Sequence, residues 1–401
     1  MATSPSLEHD DYRVALYYCY VAIEDTEEVV EFHQQFESSL GGRIRIAPEG
    51  LNGVLSGLVP CLRSYEDALR DLLDSITAHE PGLVWELDVK YCRLRTDLPV
   101  EPQLFDTWVV QKTRHVVGLV NAAPPPQGKR KPKAKETIMR PEEVIYRESL
   151  RQDRSAPHLS PADWNQKLHQ TTDETNSNDV LIIDCRNAYE SAIGHFQVPG
   201  TTTLLTNTRK YAELAPILLE QKGRIQAASH VFMYCTGGVR CERASGFLQS
   251  MLLQEETTEQ LPEIYQLHGG IQRYLEHVNI TSEDTGDTAD APASYYRGKN
   301  FVFDPRRTDP LTGNTSVVVG RCRVCDRPHD DYDNGASPAE SHPARCCRCR
   351  VLLLVCPACR DTVECWGDDT NTTTKEDDTR TQLLCGGSVC VHRPPPQEIK
   401  C

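Results

Sequence analysis

Apolar positions recur along the chain with two periods, and together they predict alternating strands and helices. Residues 12–22 (YRVALYYCYVA) are aromatic and β-branched, which is typical of a buried strand. The segment that follows has the period of an amphipathic helix, with its stripe formed by Val29, Val30, Phe32, Phe36 and Leu40. We expect this helix to end at the glycine pair Gly41–Gly42.

The next hundred residues continue the same alternation. RIRIA and VLSG read as two strands of a hairpin around the turn PEGLNG, and SYEDALRDLLDSI reads as a second helix. Further strands are predicted at 83–92 and at roughly 107–120. The order β-α-β-β-α-β predicts an α+β ferredoxin-like (split βαβ) domain over residues 1–120.

Continuous apolar runs replace the alternating ones in the middle of the chain. VLIID, HVFMY and EIYQL read as parallel strands that are buried on both faces. Helical segments separate them, and the first has Ser160 as its N-cap and Pro161 at its first position. We therefore predict an α/β domain over 158–282, in which helices cover both faces of a parallel sheet.

Two stretches interrupt these patterns and predict linkers. Residues 121–157 contain three consecutive prolines and a basic run, consisting of Lys129, Arg130, Lys131, Lys133 and Lys135. This run is interpreted as a solvated tether or, alternatively, as an RNA-attracting arm or nuclear-targeting signal. Residues 283–320 begin with an acidic linker and continue as a packing extension, in which Phe301, Val302 and Phe303 are expected to pack on the sheet.

The overall negative charge of the chain argues against a nucleic-acid partner, although the basic run in the linker favours one. The formal net charge is −15, and residues 1–120 carry ten basic against twenty acidic side chains. Any RNA contact must therefore use local basic patches. We find no apolar run of membrane-spanning length and no signal-peptide pattern, so we expect a soluble, cytoplasmic protein without a membrane partner. The basic linker leaves a nuclear location open.

Eleven of the seventeen cysteines lie from Cys322 onward, in residues 321–401. Two-residue spacings in CRVC, CCRC and CPAC allow both sulfurs of a turn to reach one tetrahedral ion. We predict two structural zinc ions, one on Cys322, Cys325, Cys346 and Cys349, the other on Cys356, Cys359, Cys385 and Cys390. Cys347, Cys365 and His329 are alternative ligands, and a reduced tail without metal is the competing interpretation.

The sequence CTGGVRCERAS places a cysteine between the strand HVFMY and a predicted helix. We expect the loop of Thr236, Gly237, Gly238 and Val239 to turn its amides toward Cys235 and to stabilise a nucleophilic thiolate. Arg240 closes the loop, and burial of Cys235 as a small apolar side chain is the alternative. Four residues separate Cys235 from Arg240, one fewer than in cysteine phosphatases, which makes a phosphatase an unfavourable interpretation.

This loop, with LIIDCRNAYESAIGHF upstream and YQLHGGIQRYLE downstream, resembles a rhodanese domain. More narrowly, CTGGVRCERAS, LGGRIRIAPEGLNGVLSG and YYRGKNFVFDPRR are similar to signatures of the tRNA uridine 5-hydroxylase family. The resemblance implies oxygen-dependent hydroxylation of a wobble uridine, with tRNA bound through its anticodon region. Molecular oxygen would be the co-substrate, and no flavin or nicotinamide fingerprint is evident. A general sulfurtransferase with a sulfur donor and a non-catalytic zinc-containing adaptor are the alternatives.

The resemblance also implies roles for individual residues. Cys235 would be the nucleophile, passing through a persulfide or an oxidised cysteine, with Arg240 stabilising its anionic forms. Asp184 and Arg186 match an acid and an arginine that brace the loop, although Asp184 could instead cap a helix; Glu190 and His195 lie in the same motif. Cys241 is either a resolving thiol or a buried side chain. The candidate RNA contacts are Arg43, Arg45, Asn52, Arg209 and Lys210, with a plain hairpin turn as the alternative for the PEGLNG segment.

Overall fold

The computed structural model describes residues 8–79, 83–96, 99–120, 140–151, 155–174, 179–254, 261–284, 294–301, 308–309, 317–332, 343–365, 381–385 and 397–400. The chain forms two compact units, one ending at Gly118 and the other beginning at Leu119. The basic run of residues 129–135 and the predicted packing residues Val302 and Phe303 lie outside the described residues.

The described residues of the first unit form five strands, two α-helices and two short 3₁₀ helices, His9–Asp11 and Glu101–Gln103. Its strands are β1 (Tyr12–Tyr20), β2 (Gly41–Ala47), β3 (Gly50–Leu58), β4 (Lys90–Arg93) and β5 (Trp108–Lys112), and its helices are α1 (Thr26–Gln34) and α2 (Val59–Thr77). The sheet order is β4-β1-β3-β2-β5, in which β5 alone runs parallel to its neighbour. This is the predicted ferredoxin-like arrangement, extended by one edge strand.

The strand predicted at 83–92 is much shorter in the structure. Only Lys90–Arg93 pair with β1, and the described residues before Lys90 are not in a strand. Leu87 is instead buried in the apolar core between the sheet and the two helices. The apolar residues of this segment thus reflect burial in the core rather than strand pairing, which explains the error.

The second unit is built on six strands of one sheet: β6 (His158–Leu159), β7 (Val180–Asp184), β9 (Thr202–Leu205), β10 (His230–Tyr234), β11 (Glu263–Leu267) and β17 (Gln397–Lys400). Its longer helices are α3 (Pro141–Arg151), α4 (Pro161–Glu174), α8 (Val239–Leu252) and α9 (Gly270–Asp284). The remaining elements are α5 (Ala188–Ser191), β8 (Gly194–Phe196), α6 (Leu214–Glu220), α7 (Lys222–Ala227), β12 (Tyr296–Gly298), β13 (Asn300–Phe301), β14 (Thr308–Asp309), α10 (Pro357–Arg360), β15 (Val363–Glu364) and β16 (Thr381–Gln382).

The strand order β17-β9-β7-β10-β11-β6 places β10 near the centre of the sheet, and all pairs except β17–β9 are parallel. Separate apolar clusters cover its two faces, one with Phe247 of α8 and the other with Trp164 of α4. The sheet is therefore the core of the predicted three-layer α/β domain. Since active-site loops of such sheets lie at the carboxyl ends of the strands, the residue after Tyr234 is well placed for chemistry.

Candidate active site

Strand β10 ends at Tyr234, and Cys235 begins the loop that leads into helix α8. Gly238 is the residue before the helix and has a φ of 102°, a left-handed conformation that favours glycine. This turn brings the Gly238 amide to the Cys235 sulfur, to which it donates a hydrogen bond of 3.1 Å. The predicted nest of amides around Cys235 is therefore present.

Cys235 is held as a thiolate although it is completely buried. Burial alone would raise the pKa of the Cys235 thiol. Hydrogen bonds from the Cys241 thiol and from the amides of Arg240 and Cys241, together with the charge of Arg240, outweigh this effect and lower the pKa to about 5. The side chain lies in the apolar cluster, as expected for a small buried side chain. It is nonetheless ionised at neutral pH, which a purely apolar role does not explain.

Arg240 forms its side-chain hydrogen bonds with Glu190 and Thr236. Its guanidinium donates two hydrogen bonds of 2.7 Å to Glu190 and one of 2.9 Å to the Thr236 hydroxyl. It therefore acts on the Cys235 sulfur through its charge, and its hydrogen bonds hold the loop to helix α5. Bidentate pairing fixes the plane of the guanidinium, which lysine could not reproduce.

Glu190 is the residue that sequence reasoning undervalued. Its carboxylate accepts hydrogen bonds from both Arg240 donors, from the Thr236 hydroxyl at 2.9 Å and from the Asn187 amide at 3.1 Å. Burial opposes ionisation, but the charge of Arg240 keeps the pKa of Glu190 below its usual value. The sequence signal for Glu190 is an acidic residue in the segment RNAYES. The structure shows that this residue is buried.

Asp184 and Arg186 form a second buried ion pair, but it does not contact the loop directly. The Arg186 guanidinium donates to Asp184 at 2.7 and 3.0 Å and to the Gly194 carbonyl at 2.6 Å. The Tyr234 hydroxyl donates to Asp184 at 2.7 Å, so the pair anchors the residue before Cys235. The bracing of the loop by this pair stays a prediction, since the pair holds the strand end from which the loop begins. Asp184 does not cap helix α5, because Asn187 is its N-cap.

Helix α9 fixes the loop from the other side. Its first amides, from Ile271 and Gln272, donate to the carbonyl oxygens of Cys235 and Thr236 at 3.0 and 3.1 Å. Gly270, with a φ of 65°, permits this approach, since a Cβ there would lie 2.6 Å from both carbonyl oxygens. The sequence HGG predicts a turn at this position. Its contact with the Cys235 loop cannot be predicted from the sequence, because it depends on the tertiary fold.

Cys241 lies in the first turn of α8, completely buried. It interacts with the Cys235 sulfur on one side and with the Cys185 thiol on the other, while burial raises its pKa well above the usual value. Cys241 is therefore a protonated donor beside the thiolate. This geometry is compatible with both predicted roles, as a buried side chain and as a resolving thiol.

The candidate RNA contacts lie in different settings. Arg45 and Asn52 are paired across strands β2 and β3, and Arg43 is two residues before Arg45 on the same face. In the second unit, Lys210 is exposed, whereas the Arg209 guanidinium donates to Glu213 at 3.0 Å. The neighbouring Tyr211 contacts the catalytic loop, because its hydroxyl donates to the Arg240 carbonyl at 2.6 Å.

The cysteine-rich region forms two thiol clusters, but they differ from the predicted sets. The sulfurs of one cluster lie within 4.8 Å of one another and come from Cys322, Cys325, Cys356 and Cys359. The second cluster contains Cys346, Cys349 and Cys385. The pairs are therefore interleaved along the chain, and the prediction that joined neighbouring pairs is wrong. Cys390 lies outside the described residues.

Both clusters fit a zinc ion. Zinc–sulfur bonds of about 2.3 Å in a tetrahedron place sulfurs about 3.8 Å apart. The Cys325 and Cys356 sulfurs are 3.7 Å apart, and those of Cys349 and Cys385 are 3.5 Å apart. Cys347 is not in either cluster, because its thiol donates to the Glu364 carbonyl. Four thiolates around an ion would supply a structural cross-link rather than a reactive position.

The first thiol cluster belongs to a region that packs beside the catalytic loop. Phe301, Tyr332 and Leu354 form an apolar cluster with Ile193, which follows α5. The Tyr332 hydroxyl donates to the Tyr189 carbonyl at 2.7 Å, one residue before Glu190. Phe301 was expected to pack on the sheet, but it lies in this cluster beside α5, with its ring 5.0 Å from that of Tyr189, and not in the clusters that cover the sheet.

Comparison with known families agrees with this architecture. Residues 12–94 match the family described as UPF0176 acylphosphatase like domain, residues 166–277 match the rhodanese-like domain, and residues 297–367 match the family described as rhodanase C-terminal. The class defined by the fold and the cysteine loop is therefore that of rhodanese-like domain proteins. Among the described residues, no helix is both long and apolar enough to cross a membrane.

Relatives narrow this assignment. A tRNA uridine(34) hydroxylase from Bacillus pumilus is 30% identical over 332 residues, which are 82% of this chain and 81% of the relative. One from Shouchella clausii is 29% identical over 336 residues, with the same coverage of the two chains. The chain belongs to the tRNA uridine(34) hydroxylase family, as the resemblance had indicated.

Two further matches are less informative. Rhodanese-like domain-containing protein 6 from Arabidopsis thaliana is 30% identical over 356 residues, or 88% of this chain, but the match spans only about half (51%) of that relative. A solved structure from Saccharomyces cerevisiae, described as a homolog of single-domain rhodanese and the Cdc25 phosphatase catalytic domain, is 18% identical. It covers 33% of this chain and 93% of its own, and its TM-score of 0.24 is too low to support an argument.

Proposed function

We propose that this protein hydroxylates carbon 5 of the wobble uridine of tRNA in an oxygen-dependent reaction, with the Cys235 thiolate as the essential nucleophile. The observation that carries the proposal is the ionised Cys235 sulfur, which accepts a hydrogen bond from the Gly238 amide beside the Arg240 charge. Relatives named tRNA uridine(34) hydroxylase support hydroxylation of a tRNA uridine as the reaction. We place the reaction in the cytoplasm, where thiols stay reduced.

The residues of the site have two roles: one reacts with the substrate, and the others hold the reacting residue in position. Cys235 is the residue that meets the substrate, while the loop amides and the charge of Arg240 stabilise its anionic forms. Glu190 positions Arg240, and the Asp184–Arg186 pair positions the end of β10. Because Cys235 is 0% exposed, the loop has to open before its sulfur can reach a base.

An oxygen-dependent hydroxylation needs a source of two electrons, and the Cys235–Cys241 pair can supply them. Insertion of one atom of O₂ into the C5–H bond leaves the second atom to be reduced to water, which takes two electrons and two protons. Oxidation of the Cys235 thiolate and the Cys241 thiol to one disulfide supplies both electrons and one proton, and the second proton comes from solvent. The contact between these two side chains supports Cys241 as the resolving thiol in this scheme.

The test is expression of wild type and Cys235→Ser in a host that lacks its own hydroxylase, followed by mass spectrometry of tRNA nucleosides. We expect 5-hydroxyuridine with wild type and none with Cys235→Ser. Cys61→Ser, a cysteine of α2 in the first unit, is the matched control and should retain the product. Absence of 5-hydroxyuridine with folded wild type would refute the proposal.

A second candidate function is sulfur transfer through a Cys235 persulfide, with a sulfane-sulfur donor. The match of residues 166–277 to the rhodanese-like domain and the same buried thiolate favour it. Thiocyanate formation from thiosulfate and cyanide, lost in Cys235→Ser and unaccompanied by tRNA modification, would select this function. An adaptor would show neither activity, and its partner binding would survive Cys235→Ser.

A further inference from the structure

The sheet of the first unit has one face packed on its helices and another that faces away from them. Ala15, Tyr17, Ile44, Leu51 and Leu55 point to the helices, where they form the core with residues of α1 and α2. Because side chains alternate along a strand, the residues between them lie on the opposite face. We call this second surface the open face, and its strand residues are Tyr12, Val14, Leu16, Tyr18, Tyr20, Gly41, Arg43, Arg45, Ala47, Gly50, Asn52, Val54, Ser56, Leu58, Lys90, Cys92, Val109 and Gln111.

Strand register aligns a row of polar and aromatic side chains across the open face. Tyr18 lies opposite Asn52, Asn52 opposite Arg45, and Arg45 beside Gln111. Arg45 and Gln111 are exposed, and Tyr18 and Asn52 are half-buried. The row therefore offers a ring, an amide, a guanidinium and a second amide at successive strand spacings of about 5 Å.

Neighbouring residues extend the same chemistry. The Tyr20 ring lies 5.8 Å from the Tyr18 ring, and the exposed Arg43 lies 6.0 Å from the centroid of the Phe105 ring. The Phe105 amide donates to the Ser56 hydroxyl at 2.7 Å, which covers the end of the face near Ser56. Several other residues of this face are buried as well, namely Val14, Leu16, Ala47, Lys90 and Cys92. The exposed part is the side formed by β2 and β5, with Arg43, Arg45, Val109 and Gln111, and it is bordered by the half-buried Tyr18, Tyr20 and Asn52.

The charge of the open face is opposite to that of the whole chain. None of its strand residues is acidic, and Arg43 and Arg45 are exposed. Lys90 adds nothing to this charge, because it is buried 5.5 Å from the Tyr18 ring centroid and pairs with Asp88 at 2.9 Å. The chain as a whole has a formal net charge of −15. A basic patch of this kind attracts an anionic partner, and its aromatic residues offer that partner stacking surfaces.

We propose that the open face binds unpaired RNA, stacking bases on Tyr18 and Tyr20 while Arg43 and Arg45 contact phosphates. Single-stranded nucleotides expose their base faces, whereas a duplex buries them, so an aromatic sheet surface selects the unpaired form. Asn52 and Gln111 supply donors and acceptors for base edges. This inference deepens the proposed function by naming the part of tRNA that the surface fits, an unpaired loop, and rests on it only for the identity of the RNA.

The test measures binding of the full chain to a fluorescent oligouridine of about a dozen nucleotides, by anisotropy at several salt concentrations. Tyr18→Leu keeps an apolar side chain but removes the ring, and Tyr18→Phe keeps the ring. We expect Tyr18→Leu to weaken binding by about 5- to 150-fold, the equivalent of ~1–3 kcal/mol per stacked base, and Tyr18→Phe to bind like wild type. An RNA hairpin with a fully paired stem and a minimal loop should bind more weakly than oligouridine.

Arginine variants test the phosphate contacts. Arg45→Gln should reduce the slope of log K against log salt by about 0.7, as expected for one phosphate contact to a single strand. Lys112→Gln is the matched control, because Lys112 lies on β5 next to Gln111 but points to the other face, where it pairs with Glu27. Its slope should equal that of wild type. Circular dichroism of each variant checks that it is folded.

Several outcomes would overturn the inference. The first is that wild type does not bind oligouridine, and the second is that folded Tyr18→Leu binds it as tightly as wild type does. The third is that Lys112→Gln reduces the salt slope as much as Arg45→Gln does. The fourth is displacement of oligouridine by polyglutamate but not by unlabelled RNA, which would indicate an acidic protein partner. The result is separable from the proposed function. Oligouridine binding that depends on Tyr18 supports the surface even where no 5-hydroxyuridine forms, and normal modification of tRNA by folded Tyr18→Leu and Arg45→Gln refutes the surface alone.

Discussion

The hydrogen bond from Cys241 to the Cys235 sulfur can be removed with little change in volume. Cys241→Ala deletes the donor that contributes most to lowering the pKa of Cys235. Cys241 is completely buried in the first turn of α8, where alanine is a good helix former. The variant should therefore fold, with the Gly238 hydrogen bond to the sulfur intact.

The magnitude follows from the strength of a hydrogen bond to a charged group. Such bonds contribute about 1.5–3 kcal/mol, and one pKa unit corresponds to about 1.4 kcal/mol. Loss of the Cys241 donor should then raise the pKa of Cys235 by about one to two units. From the wild-type value of about 5, this brings the pKa close to neutrality.

The assay is the rate of alkylation of the Cys235 peptide by iodoacetamide across pH, followed by mass spectrometry. Only the thiolate reacts, so the rate falls as pH drops through the pKa. The wild-type midpoint should lie near 5, and the Cys241→Ala midpoint should lie higher. Cys241→Ser retains a donor and should stay near wild type. In Cys185→Ala, a control that alters the other neighbour of Cys241, the midpoint should also change little.

An unchanged midpoint in Cys241→Ala would refute this account of the thiolate. The backbone amides would then hold the charge by themselves. A wild-type midpoint near the ordinary cysteine value of about 8.5 would be more serious, because the sulfur would not be ionised at neutral pH. Burial as a simple apolar side chain would then describe Cys235 better.

Two further predictions concern the ion pair and the metal clusters. Glu190→Gln leaves the Arg240 guanidinium buried without its carboxylate, so we expect the free energy of unfolding to fall by about 3–5 kcal/mol in urea titrations; a loss within error of zero would contradict a buried pair. For the metal, the structure puts Cys322 and Cys356 in one cluster and Cys346 in the other. Metal analysis should therefore find one zinc lost in Cys322→Ser/Cys356→Ser but two in Cys322→Ser/Cys346→Ser, and the opposite result would restore the pairing of neighbouring motifs.

Local signals in the sequence are sufficient to predict the fold class and the amide nest around Cys235. Apolar runs identified β7, β10 and β11 because parallel strands buried on both faces need few polar residues. The glycine pair after Cys235 identified the amide nest, because only glycine tolerates the φ of 102° found at Gly238. Both inferences rest on contacts within a few residues of one another.

Contacts between residues that are far apart in the sequence cannot be predicted from such local patterns. Spacing shows that Cys322 and Cys325 share a turn, but not which later pair joins them, because any two such turns satisfy the same tetrahedral ion. Strand β17, which pairs with β9 at the edge of the sheet, was also not predicted from the end of the chain. In both cases the partner is set by tertiary packing, for which the local pattern carries no information.

The hydrogen-bonding partner of Arg240 is a further long-range contact that the local pattern does not reveal, and it links the cysteine-rich region to the site. Glu190 lies fifty residues before Arg240 in sequence, yet the two side chains form the bidentate pair that holds the loop. Glu190 is fixed in turn through α5, which Tyr332 contacts by donating to the Tyr189 carbonyl. Because Tyr332 follows the first cysteine pair closely, a metal ion bound to that pair would also support the residues that pack behind the Cys235 loop. The cysteine-rich region is therefore a structural support of the active site within the second unit.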